Sequence, residues 1–518
     1  MKRLLLAALV VAMPATAQNL RMGVGAQITS ADPHFHNISP NNAYASMVFD
    51  NLLETDSKAR LTSSLAESWK PVGEDAWEFT LRRGVRFHNG SDFTAEDVAF
   101  TLERIPLVVN SPGSFRTYTQ AITGVEIIDS HTLRFRTNGP APLLPTDLAQ
   151  VPMPDRETHQ GATTEDFNAG RAAIGTGPYR MMAYRSGDRV ELQRFDGHWR
   201  GRPAWQSVDY RMITNDAGRT AALLAGDIDI IDQVPTSDIE RLRRDQRITM
   251  SEIDSMRFIY FALDHMRDGP TPFITDHDGK PFARNPLKDV RVRQALSLAI
   301  DRQAIVARVM EGAASATRQV MPEGAFGHVP ELAVSRADPD QAKRLLAEAG
   351  YPNGFRLTLH GPNDRYPNDA RIAQAVGQMW TRIGIRTQVD VAPYASFIAR
   401  ASRQEFSIFL VSWGSSTGEP MAGLRSIAAT YDRARGTGSV NRGRYSNPQF
   451  DTLLASAARE LDAPKREALL RQATRVVVED AGIISTHLQK NIWAMRRGFA
   501  HDARVDERTR AQDVTPAR

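Results

Sequence analysis

The sequence predicts an α/β protein, because strand-like and helix-like segments alternate along the whole chain. "WEFTLRRGVRF" has the pattern of a strand pair around Gly84, and "VEIIDSHTLRFRT" that of a hairpin with its turn at "DSH". Further strands are predicted at "RVELQRF", "SVDYRMI" and "IRTQVDV". Amphipathic helices fall between these strands, which favours layered α/β structure over a helical bundle or a sandwich.

Three helices carry clear start or stop signals. In "FTAEDVAFTLERI" Thr94 is the predicted N-cap, and Asp97 completes a capping box. "RTAALLAGDIDII" predicts a short helix that ends at Gly226 before a strand. "NDARIAQAVGQMWTRIG" predicts a helix that ends at Gly384. Its apolar stripe consists of Ile372, Val376, Met379, Trp380 and Ile383.

Composition sets the class of protein. A chain of 518 residues allows about three domains of roughly 150 residues each. The chain has 42% hydrophobic and 24% charged residues, as in ordinary globular proteins. The net charge of +4 is spread along the chain rather than forming a basic stripe, which argues against nucleic-acid binding. There is no Cys, so a buried core rather than disulfides must stabilise the fold, and a lipid-modified cysteine is excluded.

The first residues have the pattern of a secretory signal. Lys2 and Arg3 precede the apolar run "LLLAALVVAM", and "PATA" provides small residues for cleavage after Ala17. The run is about half the length that a membrane-spanning helix needs. We therefore expect residues 1–17 to be removed and the mature protein to be soluble in the periplasm.

Three segments mark the organisation of the chain. The Pro- and Gly-rich residues 268–286 are predicted to be a linker or surface loop. "GTGPYR" at 175–180 is not a dinucleotide-binding motif, and we expect its glycines to let the chain turn between lobes. The polar tail after Gly498 is expected to be frayed.

Several long strings resemble family 5 of the extracellular solute-binding proteins, which serve ABC importers of peptides and nickel. They occur in the order of that family and span residues 64 to 457. The strings are "SLAESWKPVGEDAWEFTLRRGVRFHNGSDFTAEDVAFTLER", "GTGPYRMMAYRSGDRVELQRFDGHWRGRP", "RTAALLAGDIDIIDQVP", "DVRVRQALSLAIDRQAIV", "DPDQAKRLLAEAGYPNG" and "NRGRYSNPQFDTLLASA".

The resemblance implies a class II (cluster C) periplasmic binding protein with an extra domain inserted in its first lobe. The expected first lobe comprises 18–45, 175–260 and 485–518, the inserted domain 46–174, and the second lobe 261–484. A ligand enclosed by closure of the lobes would be presented to permease subunits. We expect a monomer with no enzymatic activity, no cofactor and no metal bound by protein ligands.

Ligand contacts are also carried over from the resemblance. "GPNDRYPNDAR" is similar to a loop in which dipeptide binders hold the ligand carboxylate, and Arg365 is the matching residue. A guanidinium suits this role because its planar fork donates two parallel hydrogen bonds. The alternative is an exposed loop arginine or a salt bridge between domains.

The loop "FLVSWGSSTGEP" supplies Trp413, Ser415, Ser416 and Glu419 as further candidates. Relatives that bind dipeptides carry an acid for the peptide amine where this chain has Ser416. Glu419 matches a neighbouring acid, and it either reaches the ligand or stands near the start of a helix. The kept Arg365 and the missing acid favour an acidic or neutral polar ligand over a free-amino peptide.

The N-terminal loop supplies His34, Phe35 and Tyr44 as candidate ligand contacts, because it matches a cleft segment of the family. His34 and His36 form an H-x-H pair that suggests a metal. Two ligands are too few for a transition-metal site, which needs three or four.

Residues 414–418, "GSSTG", also fit the G-x-S-x-G pattern of serine hydrolases. In that alternative Ser416 is the nucleophile, with Asp451 and His487 as its partners. Asp451 lies in a string that the binding-protein resemblance already explains, so hydrolysis is kept only as the alternative function.

Overall fold

The computed structural model of the protein describes residues 19–415, 417–433 and 435–517, with Ala395 described by its backbone alone. The predicted signal segment, 1–17, lies outside the described residues. The strands are β1 (Asn19–Val24), β2 (Leu53–Thr55), β3 (Leu61–Ser63), β4 (Ala66–Pro71), β5 (Ala76–Leu81), β6 (Ile122–Asp129), β7 (Thr132–Thr137), β8 (Tyr179–Arg185), β9 (Arg189–Arg194), β10 (Ser207–Met212), β11 (Ile230–Ile231), β12 (Ile248–Leu263), β13 (Ile274–Thr275), β14 (Ala314–Ala316), β15 (Arg356–Pro362), β16 (Arg386–Ala392), β17 (Ile408–Gly414), β18 (Ile483–Arg496), β19 (Phe499–His501) and β20 (Val514–Pro516).

The helices include short single-turn elements as well as longer ones. They are α1 (Ser39–Val48), α2 (Ala95–Arg104), α3 (Arg116–Thr119), α4 (Leu144–Leu148), α5 (Arg156–His159), α6 (Thr164–Asn168), α7 (Asp216–Ala225), α8 (Thr236–Arg244), α9 (Val290–Leu298), α10 (Arg302–Ala304), α11 (Pro339–Glu348), α12 (Asp369–Arg382), α13 (Tyr394–Ser402), α14 (Met421–Ile427), α15 (Pro448–Ala457) and α16 (Ala463–Glu479). Among the described residues, no helix combines the length and the apolar character needed to cross a bilayer.

One 12-stranded sheet runs through both lobes in the order β13-β15-β17-β12-β18-β11-β1-β10-β9-β8, with β14 beside β18 and β16 beside β15. Its two longest strands, β12 and β18, are antiparallel neighbours. Their pairing is interrupted between Asp254 and Phe258. At one end these strands join the core that contains Leu20 and Trp493, and at the other the cores of the second lobe. The interruption therefore lies where the two lobes meet.

The second-lobe end of β12 is apolar on both faces. Phe258 and Tyr260 enter one core, while Ile259 and Phe261 enter the other. Successive side chains of a strand point to opposite faces, so a strand buried on both sides is a continuous apolar run. This explains "FIYFAL", which has no polar alternation.

The inserted domain is built on a four-stranded sheet in the order β4-β5-β7-β6. Phe79 and Phe135 pack edge to face at its centre, with ring centroids 5.1 Å apart. This core is formed mainly by residues between 52 and 153, and Leu461 of the second lobe packs against it. Separate cores support the predicted three-part division, which stays a proposal.

Helices with local signals form where they were predicted. Helix α2 begins after Thr94, and the capping box with Asp97 is present. Helix α7 ends at Gly226, which has a φ of 83°. In α12 the stripe residues Ile372 and Val376 are buried, as is Trp380. These predictions are confirmed.

The prediction of a frayed tail after Gly498 is wrong. β19 pairs with β20, and Val505 and Val514 are buried. The polar residues of the tail are ordered by ion pairs. Arg504 binds Asp506 at 2.7 Å, and Arg510 binds Glu54 of the inserted domain at 2.6 Å. The tail thus joins the first lobe to the inserted domain.

The glycines of "GTGPYR" serve close packing. A Cβ at Gly175 would lie 2.0 Å from the carbonyl oxygen of Val48, and one at Gly177 would lie 2.5 Å from its carbonyl carbon. Neither glycine has a positive φ. These residues are therefore required for the chain to pass α1 closely. The chain also bends at residues 176–178, and the expected crossover between lobes stays a prediction.

Candidate functional site

A cavity of about 970 Å³ lies between the two halves of the protein, and we call it the interlobe cleft. The first lobe and the inserted domain contribute Asn37, Asn42, Asp147, Arg257, Glu507 and Arg508. The second lobe contributes Trp413, Ser415, Thr417, Arg425, Arg433 and Arg435. Because all three parts of the chain line it, a ligand in the cleft would contact both lobes.

Two of the arginines in the cleft are neutralised by the tail. Arg257 forms a bidentate pair with Glu507, with Nε and Nη2 at 2.8 and 3.1 Å from the carboxylate oxygens, and it donates to Ser412. Arg508 donates to Gln150 at 2.5 Å and lies 3.8 Å from Asp506. These contacts hold the tail against the base of the cleft.

Two of the other cleft guanidiniums, those of Arg425 and Arg433, have no such carboxylate partner among the described residues. Arg425 on α14 donates to the backbone carbonyl of Arg435 at 2.9 Å. Arg435 lies 3.5 Å from Asp432. Within the described part of the chain, no carboxylate lies within ion-pair distance of Arg425 or Arg433. The second-lobe wall of the cleft therefore presents positive charge that an anion can bind.

An acid faces this wall from the inserted domain. Asp147, on α4, lines the cleft and is partly exposed. Burial raises the pKa of Asp147 well above its usual value, Glu419 raises it further, and Arg425 opposes both. Among the described residues, no donor bonds to its carboxylate. Sequence reasoning missed this residue, because nothing in "PLLPTDLAQ" marks it.

Glu419 lies behind the cleft wall, just before α14. One carboxylate oxygen accepts from Arg466 at 2.8 Å, and the other, Oε2, is buried without a partner among the described residues. Burial raises the pKa of Glu419, while Arg466 opposes the shift. The side chain is thus both near a helix start and close enough to Asp147 to affect it.

Trp413 and Ser415 lie on the cleft, as expected from the sequence. The indole of Trp413 lines the cavity, but its Nε1 is buried against α14 without a hydrogen-bond acceptor among the described residues. Ser415 Oγ donates to the carbonyl of Glu419 at 3.2 Å. Their predicted ligand contacts stay a prediction. Ser416 lies outside the described residues.

The close contact between Trp413 and α14 depends on Gly423. A Cβ at this position would lie 2.9 Å from Trp413 Nε1. We expect Gly423→Val to lower the free energy of unfolding by about 1–3 kcal/mol, because the indole and the helix must separate. Chemical denaturation measures this change. Gly124→Val is the matched control, since its Cβ has open space, and equal midpoints for the two variants would contradict the packing described here.

Arg365 is exposed and is not among the residues that line the cleft. Its guanidinium carbon lies 5.5 Å from the ring centroids of both Tyr366 and Tyr394. Its backbone N–H donates to Asp369 at 3.0 Å. The structure therefore places other arginines, rather than Arg365, on the cleft wall.

The N-terminal candidates lie away from the cleft. His34 is buried, with Nε2 donating to the carbonyl of Pro152 at 2.8 Å and Nδ1 accepting from Arg104 at 2.9 Å. Burial lowers the pKa of His34 to about 3, so the ring is neutral. Tyr44 is buried and donates to Met181 Sδ. Phe35 lines a different cavity, of about 1090 Å³, between α2 and α6.

The hydrolase alternative requires Asp451 to orient His487. Asp451 instead accepts from the backbone and hydroxyl of Thr430. The Nδ1 of His487 faces Thr486 Oγ1 at 3.0 Å, and burial lowers the pKa of this histidine to about 3. These two side chains therefore do not form the acid–base pair of a triad.

Comparisons with known proteins agree with this geometry. The model of "Bacterial extracellular solute-binding proteins, family 5 Middle" matches residues 60–434. The heme-binding protein A of Haemophilus influenzae is 27% identical over 85% of this chain and 81% of its own length. The glutathione-binding protein GsiB of Pectobacterium atrosepticum is 28% identical over 92% of this chain and 89% of its own.

A solved structure shows the same fold. HbpA2 from Haemophilus parasuis superposes with a TM-score of 0.83 at 24% identity, covering 96% of this chain and 100% of that one. The fold is therefore the two-lobed class II type with an inserted domain, as the sequence predicted. The chain belongs to family 5 of the bacterial extracellular solute-binding proteins, which capture ligands for ABC importers.

Proposed function

We propose that this protein is a periplasmic receptor that captures a small, carboxylate-bearing ligand, peptide-like or acidic, in the interlobe cleft and delivers it to an ABC permease. One observation carries the proposal: Arg425 and Arg433 line the cleft without a carboxylate partner among the described residues. A ligand anion that binds these guanidiniums from one lobe and contacts the other lobe favours closure, because those contacts exist only in the closed state.

The relatives support a carboxylate-bearing ligand. They are named for binding glutathione and heme, and both of those molecules carry carboxylate groups. Each relative is a binding protein rather than an enzyme, which supports a receptor that catalyses no reaction. We therefore infer that the ligand of this chain carries a carboxylate, and we assign neither glutathione nor heme to it.

Location and partners follow from the same proposal. Residues 1–17 would direct export and be cleaved after Ala17, and the mature receptor would act as a monomer that docks on permease subunits. N-terminal sequencing of the protein purified from periplasm checks the cleavage site. Arg365 does not line the cleft and stays a candidate ligand contact on the sequence resemblance alone.

The proposal predicts that the double variant Arg425→Ala/Arg433→Ala loses affinity for carboxylate ligands by about tenfold or more, since a charge-assisted hydrogen bond contributes roughly 1.5–3 kcal/mol. Calorimetric titration with glutathione, citrate and glutamyl-glutamate, each beside its methyl-ester form, measures the loss. The ester forms should bind wild type more weakly than the free acids.

Arg284→Ala provides the control, because Arg284 is an exposed second-lobe arginine outside the cleft. Arg365→Ala in the same titration tests the sequence-based candidate. The proposal is wrong if acids and esters bind wild type within about twofold of each other, or if the double variant matches Arg284→Ala.

A further inference from the structure

Asp147 and Glu419 come from different parts of the chain, and the charge of Glu419 raises the pKa of Asp147. Asp147 belongs to the inserted domain and lines the cleft, whereas Glu419 belongs to the second lobe and lies behind the wall. Glu419 is 8% exposed, and its Oε2 has no donor among the described residues. A buried acceptor without a hydrogen-bond donor costs free energy, so the carboxylate of Glu419 is incompletely stabilised.

Different cations act on the two carboxylates. Arg466 binds Oε1 of Glu419 at 2.8 Å and donates to the backbone at Glu460. Arg425 is the cation that acts on Asp147, and it also faces the cleft. Once a ligand carboxylate binds Arg425, the single positive charge of that guanidinium is shared between the ligand carboxylate and Asp147. A positive charge on the same ligand would then compensate Asp147.

We propose that Asp147, backed by Glu419, is a specificity-determining subsite for a protonated amine on a ligand whose carboxylate binds Arg425. The proposal rests on the proposed function and narrows its substrate class to zwitterions with a free amine. It also revises the expectation from sequence, in which Ser416 at the acidic position of the family argued against a free-amino ligand. Here the acid is supplied from α4 instead.

Burial and Glu419 raise the pKa of Asp147, and an ammonium in contact would oppose both effects by stabilising the ionised carboxylate. The groups that face Asp147 are Glu419 and Arg425, while Arg466 and Glu467 act on Glu419. Without a ligand, burial and the nearby Glu419 disfavour the ionised form of Asp147. Asp147→Asn should therefore leave the melting temperature unchanged or raise it. A loss of binding in this variant would then not result from unfolding of the protein.

The test uses matched pairs that differ only in the amine: glutathione, glutamyl-glutamate and glutamate, each beside its N-acetyl form. Calorimetric titration of wild type should show tighter binding of at least one free-amine compound by about tenfold or more. Asp147→Asn should bring the two members of that pair to within about twofold while weakening the acetylated member little. Asp75→Asn, an exposed aspartate of the same domain, should keep the wild-type preference.

Two results would overturn the subsite. One is that no free-amine compound binds more tightly than its N-acetyl partner. This result includes the case in which none of the compounds binds. The other is an Asp147→Asn variant that keeps the preference. If N-acetyl compounds bind as tightly as free amines and Arg425→Ala/Arg433→Ala abolishes that binding, the subsite fails while the proposed function stands. If carboxylates show no advantage over esters, the proposed function fails as well.

Discussion

Replacing Arg504 by methionine is expected to lower the free energy of unfolding by about 3–5 kcal/mol, as is typical when one partner of a buried ion pair is removed. Arg504 and Asp506 are 2% and 3% exposed at their side chains. Arg504 also donates to the carbonyls of Thr55 and Asp56, so it ties the tail to the inserted domain. Urea denaturation of the two proteins measures the difference.

The loss of unfolding free energy caused by Arg504→Met should become smaller as the pH falls. Burial alone would raise the pKa of Asp506, but Arg504, Arg508 and Arg510 overcome this and lower it to about 2. A depressed pKa stabilises the fold above the unfolded value of about 4, and this stability is lost as the pH falls towards 2. The Arg504→Met deficit should therefore shrink between neutral pH and about pH 3. A small deficit that does not vary with pH would contradict the buried pair.

Trp380→Ala is expected to destabilise the second lobe by about 3–5 kcal/mol, because it empties a large volume in a closed core. Trp380 is 0% exposed, and its Nε1 donates to the carbonyl of Leu296 at 2.9 Å. Phe261 packs on the indole, with ring centroids 5.3 Å apart. Thermal and urea unfolding measure the loss.

Trp380→Phe is the graded control for this core, since it keeps an aromatic ring and loses only the hydrogen bond and part of the volume. We expect its loss to be about half or less of that of the alanine variant. Equal losses for the two variants would show that the hydrogen bond to Leu296 dominates, against the packing account.

Local signals made much of the fold predictable. The capping box of Thr94 and Asp97, the stop at Gly226 and the stripe of α12 depend on residues within a few positions of each other. The tail could not be predicted this way, because its arginines are neutralised by partners as distant as Glu54. A polar composition alone is typical of a frayed end, and the sequence does not reveal that these arginines have distant acidic partners.

The candidate site was less predictable for the same reason. Trp413 and Ser415 line the cleft, and the loop that carries them was selected from the resemblance. Asp147 could not be selected from the sequence, because the two groups that act on its pKa, Glu419 and Arg425, are distant from it along the chain. His34 matched a cleft segment of the family, yet in this chain its imidazole is bonded to Arg104 and Pro152.

The central claim is that the interlobe cleft captures a ligand carboxylate with the guanidiniums of the second lobe. A crystal structure with the tightest-binding acid of the titration panel tests it most directly. We predict the ligand between the lobes, with a carboxylate oxygen about 3 Å from a guanidinium nitrogen of Arg425 or Arg433. Density for the ligand in the cavity between α2 and α6, or a ligand in the cleft whose carboxylate contacts neither arginine, would contradict the account.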